Sequence, residues 1–131
     1  MSEGTSYPSA LSLVAPRGHY SHVAIAHGLA FVSGQLPLDE HGQPLSQAPF
    51  ADQALQTLEN LNACLGANGL TRADLVQVRV YVTDIADWPE FDAVYARWLG
   101  EHRPARAVVG VKELHHGVAV EVEAVAAVPT P

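Results

Sequence analysis

Between residues 50 and 99 the apolar residues change period twice, and this double change restricts the fold more than any other feature of the chain. Ala51, Ala54, Leu55, Leu58, Leu61, Asn62 and Leu65 recur at steps of three and four, with Asp52, Gln56 and Glu59 opposite. That spacing predicts an amphipathic helix over 50–66, stopped near Asn68-Gly69. From Leu75 to Val82 the period falls to two: Val76, Val78, Val80 and Val82 alternate with Gln77, Arg79 and Tyr81, as in a strand with one core face and one polar face. Asp87-Trp88-Pro89-Glu90 then reads as an N-cap, a Pro in the first turn and a Glu three residues on. It opens a second helix through Phe91, Val94, Tyr95, Trp98 and Leu99.

The flanking segments read as strands and turns. Residues 1–10 are small, polar and Pro-containing, and are expected to form a flexible leader. Leu11-Ser12-Leu13-Val14 is a candidate first strand ended by Pro16 and Gly18. Val23-Ala24-Ile25 and Leu29-Ala30-Phe31-Val32 flank His27-Gly28, which suggests a β-hairpin. The Gly- and Pro-rich stretch from Gly34 to Pro49 reads as an ordered connection. Ala107–Val111 and Val118–Val125 supply two last strands. The order β-β-β-α-β-α-β-β suits an α+β sandwich: one mostly antiparallel six-stranded sheet with both helices on one face.

Bulk properties exclude several function classes. With 131 residues, 48% of them hydrophobic, the chain suits one domain, placed at 11–131. A formal net charge of −7 with 7 Lys and Arg argues against nucleic acid as a partner, because such affinity comes from clustered cations. The lone Cys64 offers neither a disulfide nor a metal pair, so a reducing compartment is expected. Without a signal-like start or a membrane-length apolar run, the expectation is a cytoplasmic protein with no membrane partner.

Chemistry concentrates near the end of the sequence. Pro104-Ala105-Arg106 delivers an Arg into a strand, and Glu121 and Glu123 follow on the next one in sequence. A planar guanidinium grips a carboxylate in bidentate fashion, and a nearby carboxylate can orient water. The combination suggests a site for a small acid. Glu121 and Glu123 share one strand face, so alternation does not separate them. His19 with His22, and His115 with His116, lack a register that would aim both rings at one ion, and no metal is expected.

The segments Gly18-His19-Tyr20-Ser21, Phe31 to Asp39 (FVSGQLPLD), Gln53 to Asn62 (QALQTLENLN), Val80 to Asp84 (VYVTD), Pro104-Ala105-Arg106 and Val120 to Ala124 (VEVEA) together resemble the RidA/YjgF family of enamine and imine deaminases. The resemblance covers roughly residues 12–127, in the family's order and spacing. It implies a chorismate-mutase-like fold, a homotrimer with clefts between subunits, and no cofactor. The implied reaction is hydrolysis of reactive 2-imino acids, derived from 2-aminoacrylate or its homologues, to 2-keto acids and ammonia.

Carried onto this sequence, the resemblance implies that Arg106 binds the substrate carboxylate, Glu121 positions or activates water and Tyr20 lines the cleft. Ser33, Gly34, Asp92 and Val108 are implied on the substrate-binding side. The chain departs from the family pattern at His19, where Pro is common, at His22, where Gln is common, in the loop Glu113–Gly117, and at Asp92, which is Asn in some deaminase members. These departures bear on which acid is accepted. Two alternatives accompany the deaminase reading: a noncatalytic small-carboxylate-binding protein of the same fold, and a ribonuclease or translation inhibitor, against which the acidic balance counts.

Overall fold

A computed structural model describes residues 4–130 of the chain. Its five strands are β1 (Val23–Ala26), β2 (Leu29–Gln35), β3 (Leu75–Val82), β4 (Ala105–Gly110) and β5 (Val120–Ala127). The long helices are α1 (Phe50–Gly66) and α2 (Trp88–Leu99). The strands form one sheet in the order β1-β2-β5-β3-β4. Every neighbouring pair is antiparallel except β3 and β4. A parallel pair needs a long crossover, and α2 supplies it.

The α+β class and the two helices agree with the sequence reading, while the sheet has five strands rather than six. Leu11–Val14 is not a strand. The slot beside β1 is taken by Ser6, whose N–H and C=O both bond the backbone of Ile25; the chain then turns back with Leu13 N–H donating to the Ala10 carbonyl. The expected leader is therefore held from Ser6 onward, and Ala10 is buried; residues 1–3 of it lie outside the described residues. The hairpin is as expected: Ala26 pairs with Leu29, and His27 and Gly28 both take positive φ, 55° and 73°. That is the left-handed pair a two-residue turn between twisted strands demands.

One cluster of buried residues joins both helices to one face of the sheet, with Leu58, Leu61, Phe91, Val78, Val80 and Val122 at its centre. Two positions leave the expected stripe. Val76 is exposed and Leu75 is buried instead, because the β3–β5 register slips between Leu75 and Gln77 and a bulge re-aims the side chains around it. In α1, Leu55 faces outward while Gln53, Thr57 and Asn60 are buried. Those polar groups are satisfied: Asn60 Nδ2 donates to the Leu36 and Leu38 carbonyls, and Gln53 receives the Ala119 N–H on its Oε1. They pin the 36–48 connection and the approach to β5 onto the helix, which offsets the desolvation of buried amides. Cys64 is buried, and burial pushes its thiol up to about 12, as fits a packing residue. The side-chain cap before α2 comes from Asp84, which accepts the Ala86 N–H in a short 3-10 turn; Asp87, the expected cap, makes no such bond.

Candidate functional site

The two faces of the sheet divide the expected site residues between them. On β4, Arg106 is in register with Val78 and Val108 with Val80, so both point to the helix-covered side. Val108 packs partly buried against the core. Arg106 lies at the rim, where its Nη1 donates to Asp92 Oδ1 of α2 at 2.6 Å. Its guanidinium also sits 5.2 Å from the centroid of the Tyr95 ring, a cation–π arrangement. A cavity of about 460 Å³ opens beside this pair, walled by Leu99, Arg103 and Pro104 as well. Burial raises the Tyr95 phenol to about 12, against a smaller opposing pull from Arg106.

Glu121 belongs to the other face. It is in register with Tyr81 of β3, and with Gln77, Arg79 and Glu123 these residues form the polar side of the sheet. The next strand in sequence is thus not the next strand in space, because β3 lies between β4 and β5. Within one chain Arg106 and Glu121 point to opposite sides of the sheet. The expectation of a clamp and a carboxylate on adjoining strands is corrected accordingly.

The structure also separates the two carboxylates that alternation leaves equivalent. Glu123 is engaged: the Tyr81 hydroxyl donates to its Oε1, and Arg79 Nη1 lies 3.8 Å from the same oxygen. Glu121 makes no hydrogen bond or ion pair among the described residues. It faces a cavity of about 320 Å³ together with Gly34, Tyr81 and Glu113. Desolvation holds its carboxyl above the usual range, with Glu123 reinforcing the shift and His115 opposing it. Of the two carboxylates, Glu121 is the one with no partner among the described residues and with its proton affinity raised by desolvation.

Gly34 explains how Glu121 reaches that position. A Cβ at residue 34 would collide with the Glu121 carboxylate, so glycine here lets that carboxylate lie against the backbone, and a larger residue would displace the Glu121 side chain from this position. Gly34 also borders a second cavity, of about 430 Å³, with Tyr20, Arg17, His115 and His116 on its walls. Tyr20 is about half exposed there. Ser33 acts on the scaffold: its Oγ donates to the Ser21 carbonyl at 2.6 Å and its N–H to the His22 carbonyl at 2.9 Å, fixing the segment that carries Tyr20. The structure thus brings Tyr20, Gly34 and Glu121 to one region and places Arg106 with Asp92 in another.

Sequence reasoning missed the partners of these residues. His22 is buried with Nδ1 accepting the Ala10 N–H and Nε2 bonded to the Val14 carbonyl, both at 3.1 Å. Two such bonds require the neutral tautomer protonated on Nε2, and they hold the wall of the cavity shared by Gly34 and Tyr20. No pattern of apolar residues signals that role. Tyr95, beneath Arg106, falls in the apolar stripe of the second helix and Tyr81 on the polar strand face; their spacing gives no hint of the partners they meet. Among the described residues no group of three His, Cys, Asp or Glu could hold a metal ion, and no helix is long and apolar enough to cross a membrane.

Comparison with known proteins agrees with this architecture. A family model described as Endoribonuclease L-PSP matches residues 11–128. A RutC family protein of Pyrococcus horikoshii is 38% identical over 85% of this chain and 88% of its own length. Among solved structures, the YjgF gene product of E. coli superposes with a TM-score of 0.86 at 32% identity, covering 93% of this chain and 98% of its own. E. coli TdcF, solved with bound serine, has a TM-score of 0.86 at 30% identity over 93% of this chain and 98% of its own. A Rid family protein of Yersinia pestis, YyfA, reaches a TM-score of 0.91 at 28% identity, over 95% of this chain and all of its own, 100%. With a strand order, helix placement and sequence match that run through nearly its whole length, the chain belongs to the YjgF/Rid family.

Proposed function

We propose that this protein hydrolyses 2-imino acids, and the enamines in equilibrium with them, to 2-keto acids and ammonia. The observation that carries the reading is Glu121: a half-buried carboxyl with raised proton affinity, free of partners among the described residues, facing a cavity at a glycine that leaves room beside it. Water adds to the imine carbon as Glu121 takes one of its protons and passes it to the nitrogen, giving a carbinolamine; the carbinolamine hydroxyl then gives up its proton, again through Glu121, to the nitrogen as the C–N bond breaks, releasing ammonia and leaving the C=O. The sum is one water consumed per imine, with no electron acceptor and no covalent enzyme intermediate. Arg106 pins the substrate carboxylate, and Tyr20 covers the cleft. Orientation of this kind lowers the barrier by turning a bimolecular encounter into a positioned one.

A site holding both Arg106 and Glu121 has to draw them from two copies of the chain, since one chain turns them to opposite faces. We read the assembly as a homotrimer with a cleft at each interface. The polar sheet face, with Phe31 and Val109 exposed on it at 46% and 42%, supplies a surface for that contact. The bound serine of TdcF supports a small amino acid-like ligand.

The test is the rate of 2-iminopropanoate loss with wild type, Arg106→Ala and Glu121→Gln, against buffer alone. Wild type is expected to exceed buffer by orders of magnitude and both variants to approach it. Keto-acid binding without any acceleration would leave the noncatalytic small-carboxylate reading in place. The family description favours a second activity, RNA cleavage, and the net charge of −7 weighs against it. Cleavage that persists in Arg106→Ala through successive purification steps would restore that reading.

A further inference from the structure

The guanidinium assigned to the substrate already holds a carboxylate. Asp92 Oδ1 sits 2.6 Å from Arg106 Nη1, with the Arg106 side chain 25% exposed and that of Asp92 46% exposed. Tyr95 supports the face of the guanidinium from below, so the pair is held on its edge by α2 and on its face by the same helix. An incoming acid reaches Arg106 from the cavity that Asp92 itself lines. A bidentate grip uses two parallel N–H groups of the planar fork, and Asp92 occupies part of that fork.

Resting on the reading that Arg106 grips the substrate carboxylate, we propose that Asp92 is a resident carboxylate that sets the charge class of the ligand. A plain anion gains Arg106 only by sharing it with a second negative group a hydrogen bond away, and like charges at that range oppose one another. An acid that also carries a cationic nitrogen brings its own compensation. The protonated 2-imino acid is such a zwitterion, and the 2-keto acid it becomes is a bare anion. Asp92 therefore favours entry of the substrate over retention of the product. His102 and Arg103 border the same cavity, but neither forms an ion pair with Asp92, so its charge is directed at Arg106.

The experiment compares two commercial probes, pyruvate as the bare anion and serine as the zwitterion, by calorimetry on the intact protein. The variants are Asp92→Asn, Asp92→Ser and Arg106→Ala. Removing the resident charge is expected to tighten pyruvate binding by about fivefold, the scale of one partly exposed ion pair, while serine changes by less than about twofold. In turnover the same variants show stronger product inhibition by pyruvate than wild type. Equal effects on the two probes, or weaker pyruvate binding in both Asp92 variants, would overturn the inference while leaving the deaminase reading intact. Pyruvate binding that survives Arg106→Ala at wild-type strength would overturn both, because Arg106 would not be the grip. Two substitutions of different shape guard against a local packing defect, and thermal unfolding of each variant checks the fold.

Discussion

On its helix-covered face the sheet carries Val78, Val80, Val82, Val120 and Val122, all buried, and on its other face the same strands carry Gln77, Arg79, Tyr81, Glu121 and Glu123. Neighbouring residues of one strand thus do unrelated work. The covered face holds the fold together through apolar burial, and the open face gathers the titratable groups that the core has no room for. Arg106 crosses that division: it belongs to the covered side by register, yet lies at its rim on the edge strand β4, where a charge stays hydrated. A strand at the edge of a sheet is where a functional charge on the core side costs least.

The comparison breaks most visibly if the covered face proves dispensable. Leu58→Ala, at a fully buried position, is expected to lower stability in urea by about 3 kcal/mol; a loss below about 1 kcal/mol would mean that the core collapses around the gap. The open face should respond in assembly rather than in stability. Phe31→Asp, at a half-exposed residue, is expected to shift sedimentation toward the 14.0 kDa single chain, with the far-ultraviolet spectrum retained. A variant that keeps the wild-type mass would remove that face from the interface.

A pH measurement sharpens the contrast further. The folded chain holds the Glu121 carboxyl above its ordinary value, mainly by desolvation, so the native state binds more protons than the unfolded state between those two values. Stability from this group is then present at low pH and falls as pH rises through the raised value. Glu121→Gln should accordingly be slightly more stable than wild type at neutral pH, with the difference vanishing in acid; a difference that grows in acid would reverse the assigned direction. As a base, Glu121 also predicts that activity falls on acidification at a pH above the usual carboxylate range. The smallest effect is expected at Tyr95, whose buried hydroxyl has no hydrogen-bond partner among the described residues. Tyr95→Phe relieves that desolvation and should raise the unfolding free energy by up to about 1 kcal/mol.

Elements set by local periodicity were legible from the sequence. The Ala54–Leu65 stripe, the Val78–Val82 alternation and the two positive-φ residues of the His27-Gly28 turn each leave a pattern inside a short window. What failed depended on partners far along the chain. Leu11–Val14 looks like a strand until Ser6 is seen to occupy the edge of β1. Val76 looks like core until the register slip beside Gln77 is known. At the site, residue types and order pointed to Arg106, Glu121, Tyr20 and Gly34, whereas the division of Arg106 and Glu121 between two faces follows from the registers that set Arg106 beside Val78 and Glu121 beside Tyr81. The roles of His22, Asn60 and Gln53 were hidden for a related reason: each binds backbone groups far along the chain, and backbone groups have no sequence signature.

The strand order has a consequence for how the chain is made. β5 leaves the ribosome after the other four strands of the sheet, yet it fills the middle, pairing with β2 on one side and β3 on the other. Until residue 127 has emerged, β2 and β3 each present an unpaired edge, the kind of surface that recruits strands from other chains. The closing step that removes this hazard is also the one that carries Glu121 against Gly34. Completion of the sheet and placement of Glu121 beside Gly34 are therefore a single event, and a nascent chain with an unfinished sheet has no Glu121 in place.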